Sequence, residues 1–208
     1  MKEKINWKEV LLQPIFKGNP VTVLVLGICS SLAVTVQLEG AMVMGLSVII
    51  VTGLSSFVVS LLRNSIPNRI RIIVQLVVVA LMVILVDQFL KAYMYSVSKA
   101  LSVYVGLIIT NCIVMGRIEA YALGNKPLPS LLDGLANGAG YALILIVVAF
   151  FRELLGSGTL FGVRIIPESF YAAGYMDNGL VILPPMALIL LGLIVWVQRS
   201  IQKDLQEK

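Results

Sequence analysis

The sequence predicts an all-α integral membrane protein with six transmembrane helices. The chain of 208 residues is 59% hydrophobic and 13% charged, with a mean hydropathy of +0.96, which is more apolar than a single soluble core requires. Six stretches lack Asp, Glu, Lys and Arg, and most approach the roughly 20 residues that span a bilayer. The period-2 alternation of a membrane β-barrel is absent from the sequence.

The six stretches give the predicted helices in chain order. Gly18-Asn19-Pro20 precedes the first, and Ile66-Pro67-Asn68 turns the second into the third. Gly27 and two serines weaken the middle of the first helix, and we expect helices one and four to be interrupted at mid-membrane, near Gly27 and near Asn111. Residues 1–19 form a cytoplasmic segment, interpreted either as a short interfacial helix or as a frayed tail. The stretches are 21–38, 41–62, 72–86, 100–116, 134–151 and 178–198.

The net charge of +5 is explained by topology. With six helices and both termini on one face, that face receives twelve basic residues and the opposite face receives four. The positive-inside rule then places both termini in the cytoplasm. No cleavable signal is visible, and no nucleic-acid partner is implied. The twelve are Lys2, Lys4, Lys8, Lys17, Arg63, Arg69, Arg71, Arg117, Lys126, Arg199, Lys203 and Lys208, against Lys91, Lys99, Arg152 and Arg164.

The chain repeats itself in outline. The order cysteine, glutamate, arginine occurs as Cys29, Glu39, Arg63 and again as Cys112, Glu119, Arg152, although the spacing differs. Three-helix units at 20–99 and 100–208 would enter the membrane from opposite sides, because an odd number of crossings inverts the second unit. Interrupted helices at matching positions of an inverted repeat indicate a site near the midplane.

Cys29 and Cys112 are the only cysteines, and both lie inside apolar runs. The simplest interpretation is two small buried hydrophobic residues. A disulfide is disfavoured, since nothing indicates an oxidising compartment. A soft metal or an iron–sulfur cluster is the third interpretation, and the lack of histidine removes histidine-ligated sites. Two thiolates cannot complete a [2Fe–2S] cluster, so another chain would have to supply two more ligands.

Several motifs carry a resemblance that covers nearly the whole chain. They are 27–35 (Gly-Ile-Cys-Ser-Ser-Leu-Ala-Val-Thr), 62–68, 71–75, 86–88, 106–117 with Thr-Asn-Cys-Ile-Val-Met-Gly-Arg, and 151–158. These motifs resemble the family of D-type subunits of the sodium-translocating NADH:quinone reductases. The sister family, the E-type subunits of the Rnf ferredoxin:NAD oxidoreductases, typically has a proline after the first cysteine. Ser30 occupies that position here, which favours the quinone-reductase family.

The resemblance implies a subunit of the bacterial cytoplasmic (inner) membrane. It implies that Cys29 and Cys112 bind the iron of an intramembrane [2Fe–2S] cluster, shared with a homologous E-type subunit of opposite orientation. Electrons would pass through the cluster between flavins, with NADH and ubiquinone also bound by other subunits of the complex. Electron flow would be coupled to Na⁺ export, and no complete active site is expected on this chain.

Charged residues near the predicted helix ends have two interpretations. Asp87 and Asp133 are candidates for an ion path, since carboxylates suit Na⁺, although Asp133 could instead form a capping box with Ser130. Glu39 and Glu119 are weaker candidates, expected in interfacial loops. Arg63 and Arg152 are interpreted as snorkelling anchors, or as partners of an acidic lipid or a neighbouring subunit.

Two other functions fit the sequence less well. A stand-alone secondary transporter would use the inverted repeat with packed cysteines, but intramembrane charge is scarce. A scaffold subunit without a cofactor would leave the matched cysteines unexplained.

Overall fold

The computed structural model describes residues 18–67, 69–93, 104–160, 163–164 and 179–201, and these are mostly helical. A helical stretch at 104–109 precedes α4, which a π-helical turn at Ile118–Ala122 continues. Thr159–Leu160 pairs with Val163–Arg164 in a short antiparallel ladder. The helices are α1 (Ile28–Val34), α2 (Leu38–Leu62), α3 (Arg71–Tyr93), α4 (Cys112–Arg117), α5 (Pro127–Ser157), α6 (Gly179–Ile182) and α7 (Pro184–Ile201).

Five helical stretches within the described ranges are long and apolar enough to cross a membrane: Leu38–Leu62, Arg71–Tyr93, Tyr104–Ala122, Pro127–Ser157 and Pro184–Ile201. They overlap predicted helices two to six, in agreement with the all-helical membrane class. The interfacial helix considered for residues 1–19 lies outside the described residues, apart from its last two.

The predicted first helix, 21–38, is not a continuous helix. A single turn closes where the Val23 amide donates to the Asn19 carbonyl at 3.0 Å, and the backbone then leaves helical geometry. Val25 has a φ of 56° and Gly27 a φ of 80°, both in the left-handed region. Only the seven residues of α1 follow in helical form. Segment one is therefore interrupted, as expected, and it is not among the five long apolar helices.

Helices α2 and α5 form the central and most extensively packed pair. Their backbones approach closely because glycines face the partner helix, as is common in membrane helix packing. A Cβ added to Gly138 would lie 2.8 Å from the Cα of Ile49, and one added to Gly45 would lie 2.9 Å from the Cβ of Ala142. Since position 45 meets 142 and position 49 meets 138, the two helices run antiparallel.

Helix α5 is longer at both ends than the predicted 134–151. Pro127 occupies its first turn, where a missing backbone N–H costs no hydrogen bond. Gly158 ends the helix with a φ of 63°, the left-handed conformation typical of helix C-termini. The capping box predicted for Ser130 and Asp133 is wrong, because the helix begins before them and the Ser130 hydroxyl donates to the Lys126 carbonyl.

The outer faces of α3 and α7 are apolar and exposed. Ile73 and Val77 on α3 are each 62% exposed, and Trp196 on α7 is 67% exposed. Such faces suit lipid or other membrane subunits. The buried core is formed by α2, α5, the half-helices α1 and α4, and the inner face of α3, which contributes Val79 and Val83.

Candidate cofactor site at two helix breaks

The first break presents Cys29. Gly27 is the N-cap of α1, and Cys29 is the second residue of that helix, with an exposed side chain and a free thiol. The position of Gly27 leaves no room for a side chain, since a Cβ there would lie 2.7 Å from Ile113 Cδ1 and 3.0 Å from Tyr141 Cε2. Glycine is therefore required here by its positive φ and also by close packing.

The second break presents Cys112. The helical stretch at 104–109 ends at Thr110, and Asn111 adopts extended geometry as the N-cap of α4. The Asn111 side chain accepts a hydrogen bond from the Ile113 amide at 3.1 Å, which satisfies one free donor of the new helix. Cys112 is the first residue of α4, and its thiol is free and exposed. The expected breaks near Gly27 and Asn111 are thus both present.

The fold brings the two breaks together. Ile113, the residue after Cys112, packs against Gly27, and Leu26 packs where a Cβ on Gly116 would lie. Asn111 Nδ2 donates to Ser30 Oγ at 3.3 Å, which joins the two N-terminal turns directly. The residues neighbouring each cysteine in sequence are therefore in mutual contact.

Tyr141 of α5 completes the contact between the breaks. Its side chain is fully buried, and its hydroxyl lies 2.5 Å from Ser30 Oγ and 3.4 Å from Asn111 Nδ2. Sequence reasoning missed Tyr141. The available signal was a tyrosine inside an apolar run, because a buried hydroxyl usually requires a partner.

The arrangement can bind a soft metal group but cannot complete its coordination. Each thiol lies in the first turn of a helix, where unpaired backbone N–H groups and the helix dipole favour negative charge. Thiolates at such positions are good ligands for iron and other soft ions. Among the described residues, no group of three or more His, Cys, Asp or Glu side chains is placed to hold a metal ion. A cluster held by four thiolates would need two more cysteines than the two that this chain contains.

Arg152 holds the far end of α1. The prediction that it is a snorkelling anchor is wrong, since the residue is only 1% exposed. Its Nη1 donates to the Leu32 carbonyl at 3.2 Å and to Thr35 Oγ1 at 2.6 Å. Its Nε and Nη2 donate to the carbonyls of Val181 and Ile182 in α6 at 3.3 and 2.5 Å. A buried cation therefore satisfies the C-terminal carbonyls of two short helices, where the dipole favours positive charge.

The next residue, Glu153, caps a third helix. Its Oε2 accepts a hydrogen bond from the Leu38 amide at 2.7 Å, at the N-terminus of α2. Arg63, at the end of α2, donates to the Gly124 carbonyl at 3.3 Å, just after the π-helical turn that continues α4. An arginine at or near the end of a long helix thus binds a carbonyl in the last turn of α1 and another beyond α4.

Asp133 and Asp87 are both paired and lie apart from the cysteines in sequence. Both carboxylate oxygens of Asp133 accept from Arg117, at 2.9 and 2.5 Å, and Asn137 donates to one of them at 3.1 Å. Asp87 Oδ2 binds Lys91 Nζ at 2.6 Å. Asp87 Oδ1 is buried and has no hydrogen-bond partner among the described residues.

The two glutamates are not in loops, which corrects the prediction for both. Glu39 lies in the first turn of α2, and Glu119 lies in the π-helical turn after α4. Glu119 pairs with Arg71 and accepts from Gln75 Nε2 at 2.8 Å. This pairing joins the start of α3 to the turn after α4.

Comparison with known proteins gives consistent matches along the whole chain. A family model described as "Rnf-Nqr subunit, membrane protein" matches residues 7–195. The chain is 55% identical, over all 208 residues of both proteins, to the D-type subunit of the Na(+)-translocating NADH-quinone reductase of Haemophilus influenzae strain PittGG. It is 54% identical, over the same full lengths, to the D-type subunit of the enzyme of the same name from Yersinia pestis strain Pestoides F.

Proposed function

Because the chain belongs to the Rnf-Nqr family of membrane-protein subunits, we propose that it is the D-type electron-transfer subunit of a sodium-translocating NADH:quinone reductase. Its full-length relatives carry the name of that subunit. The complex would oxidise NADH, reduce a quinone and export Na⁺ across a bacterial inner membrane. Flavins and the substrate sites would belong to other subunits.

Cys29 and Cys112 are proposed as two of the four ligands of an intramembrane [2Fe–2S] cluster. The observation that carries this assignment is the contact between the two helix breaks, each of which bears one free, exposed thiol. Such a cluster, when bound, supplies one-electron transfer. A homologous E-type subunit of opposite orientation would supply the other two thiolates, since this chain has no further cysteine.

The surroundings of the two cysteines suit a negatively charged group. Each thiol lies in the first turn of a helix, where the positive end of the helix dipole favours negative charge. At the C-terminal end of α1, Arg152 binds the Leu32 carbonyl. Beyond the C-terminal end of α4, Arg63 binds the Gly124 carbonyl. The residues of this chain therefore orient two thiolates and compensate their charge with backbone dipoles.

An inverted repeat is proposed for the architecture, with units at 20–99 and 100–208. Two features support it. Helices α2 and α5, which hold corresponding positions, pack antiparallel through glycines. Arginines near the C-terminal ends of the two long helices bind carbonyls of the other unit: Arg63 binds Gly124, beyond α4, and Arg152 binds Leu32, in the last turn of α1. With both termini cytoplasmic, this arrangement matches the basic-residue distribution.

For the sodium path we favour Asp87 over Asp133. The Asp133 carboxylate is fully engaged by Arg117 and Asn137. Asp87 keeps one buried oxygen without a hydrogen-bond partner in the described part of the chain. A carboxylate oxygen of this kind is a suitable ligand for a hard cation.

The cluster assignment is tested on the complete complex, purified from membranes that express this chain with Cys29→Ser or Cys112→Ser. Each variant should lose two iron atoms per complex and the paramagnetic signal of the reduced cluster. Thr110→Ala is the matched control, because Thr110 is exposed beside the second break and bonds only its own helix at Gly106. Its iron content should equal that of the unmodified complex.

The same preparations separate the competing functions. An unmodified complex without this iron would exclude the cluster. Sodium transport by the chain alone would instead support a stand-alone transporter. Reduction of NAD⁺ by ferredoxin in the purified complex would assign the chain to an Rnf-type complex.

A further inference from the structure

A hydrogen-bonded chain runs between the N-caps of the two half-helices. At one end the Ile113 amide donates to Asn111 Oδ1, which orients the Asn111 side chain so that its Nδ2 faces Tyr141 and Ser30. At the other end Ser30 Oγ donates to the Gly27 carbonyl at 3.1 Å. The Tyr141 hydroxyl lies between these ends.

The donors and acceptors of this chain fix its direction. The Tyr141 oxygen accepts from Asn111 Nδ2, which has no acceptor capacity of its own. Ser30 uses its proton on Gly27, so the Tyr141 hydroxyl donates to Ser30 Oγ at 2.5 Å. Each buried polar group therefore has a partner, and loss of the tyrosine hydroxyl would remove the central link.

We propose that Tyr141 is a positioning residue, which holds α1 and α4 in a fixed relative position so that Cys29 and Cys112 present their thiols together. Its ring also packs against Gly27. The consequence for an iron–sulfur cluster rests on the proposed function. The mechanical link between the half-helices rests only on the contacts described.

The mechanical link is tested with Tyr141→Phe in the complete complex, which keeps the ring and removes the hydroxyl. Hydrogen–deuterium exchange at residues 28–34 and 112–117 should become about three- to tenfold faster, the effect of losing one buried hydrogen bond. Tyr121→Phe is the matched control, because it also removes one tyrosine hydroxyl, in the turn after α4. It keeps the ring, whose centroid lies 5.7 Å from the Arg117 guanidinium carbon. Unchanged exchange in Tyr141→Phe would overturn the proposal.

Ser30→Ala breaks the same chain from its other side. Tyr141 and Ser30 act through one hydrogen bond. The fold-acceleration of exchange in the double variant should therefore be measurably smaller than the product of the fold-accelerations in the two single variants. Strictly independent effects of the two substitutions would show that the residues do not act as a unit, which would also overturn the proposal.

A second readout concerns the cluster itself. In Tyr141→Phe, iron should be lost to a chelator faster than in the unmodified complex, and the midpoint potential should shift. A potential shift of about 59 mV would correspond to a tenfold change in the ratio of oxidised to reduced cluster, for transfer of one electron. An unmodified complex without iron would exclude the proposed cluster but leave the exchange test intact. An iron-containing complex with unchanged exchange and iron loss in Tyr141→Phe would exclude only the role of Tyr141.

Discussion

Replacing Gly138 by alanine should push α2 and α5 apart where their backbones are closest. The added Cβ would lie 2.8 Å from the Cα of Ile49, whereas ordinary contacts begin at 3.4 Å. The neighbouring atom belongs to a helix backbone and cannot rotate away. Overpacking of this kind costs about 1–3 kcal/mol, and removal of a helical glycine returns up to ~1 kcal/mol. We expect a net loss of about 1–2 kcal/mol in the free energy of unfolding.

That loss should lower the melting temperature by about 2–8 °C for a chain of this size. The measurement is the fraction of detergent-solubilised protein that stays monodisperse after heating, followed by size-exclusion chromatography. Gly192→Ala in α7 is the control, since a Cβ there meets no atom within 4 Å. It should be neutral or slightly stabilising. Equal melting temperatures for the two variants would refute the view that close glycine packing holds α2 against α5.

Three further predictions concern buried polar side chains. Arg152→Met should destabilise the protein by about 2–4 kcal/mol in the same thermal assay, because buried carbonyls of α1 and α6 lose their donor, and Arg152→Lys should recover part of that loss. Asp133→Leu should lower the free energy of unfolding by about 3 kcal/mol, because the Arg117 charge is left unpaired. Arg117→Met should then cost little further stability in the Asp133→Leu background. Additive losses of stability would argue against a coupled pair. Asp87→Asn should raise the sodium concentration for half-maximal NADH-driven transport about tenfold, equivalent to ~1.4 kcal/mol of cation binding, and an unchanged sodium dependence would remove Asp87 from the path.

Hydropathy predicted the second to sixth spans because each is a local property of a continuous apolar run. The breaks near Gly27 and Asn111 were also predictable, since glycine and asparagine weaken a helix locally. The extent of the break in the first span has a cause that hydropathy does not register. Val25 and Gly27 both take positive φ, which stops helical hydrogen bonding while the side chains stay apolar.

The roles of Arg152 and Tyr141 could not be inferred from neighbouring residues. The contacts that define Arg152 join it to Leu32 and to Val181, far along the chain on either side. A single arginine beside phenylalanine at the end of an apolar run looks the same whether it faces a lipid headgroup or a helix terminus. Only the three-dimensional placement of α1 and α6 separates these two environments.

The bond between Arg152 and Leu32 also bears on how the protein is made. The two residues are separated by 120 positions, so the carbonyls at the end of α1 have no arginine partner until most of the chain has been synthesised. At about 5–20 residues per second, that interval is roughly 6–24 s. During this time the Cys29 half-helix lacks its C-terminal support within the nascent protein. α5 must therefore reach the bilayer before the first half-helix acquires its final form.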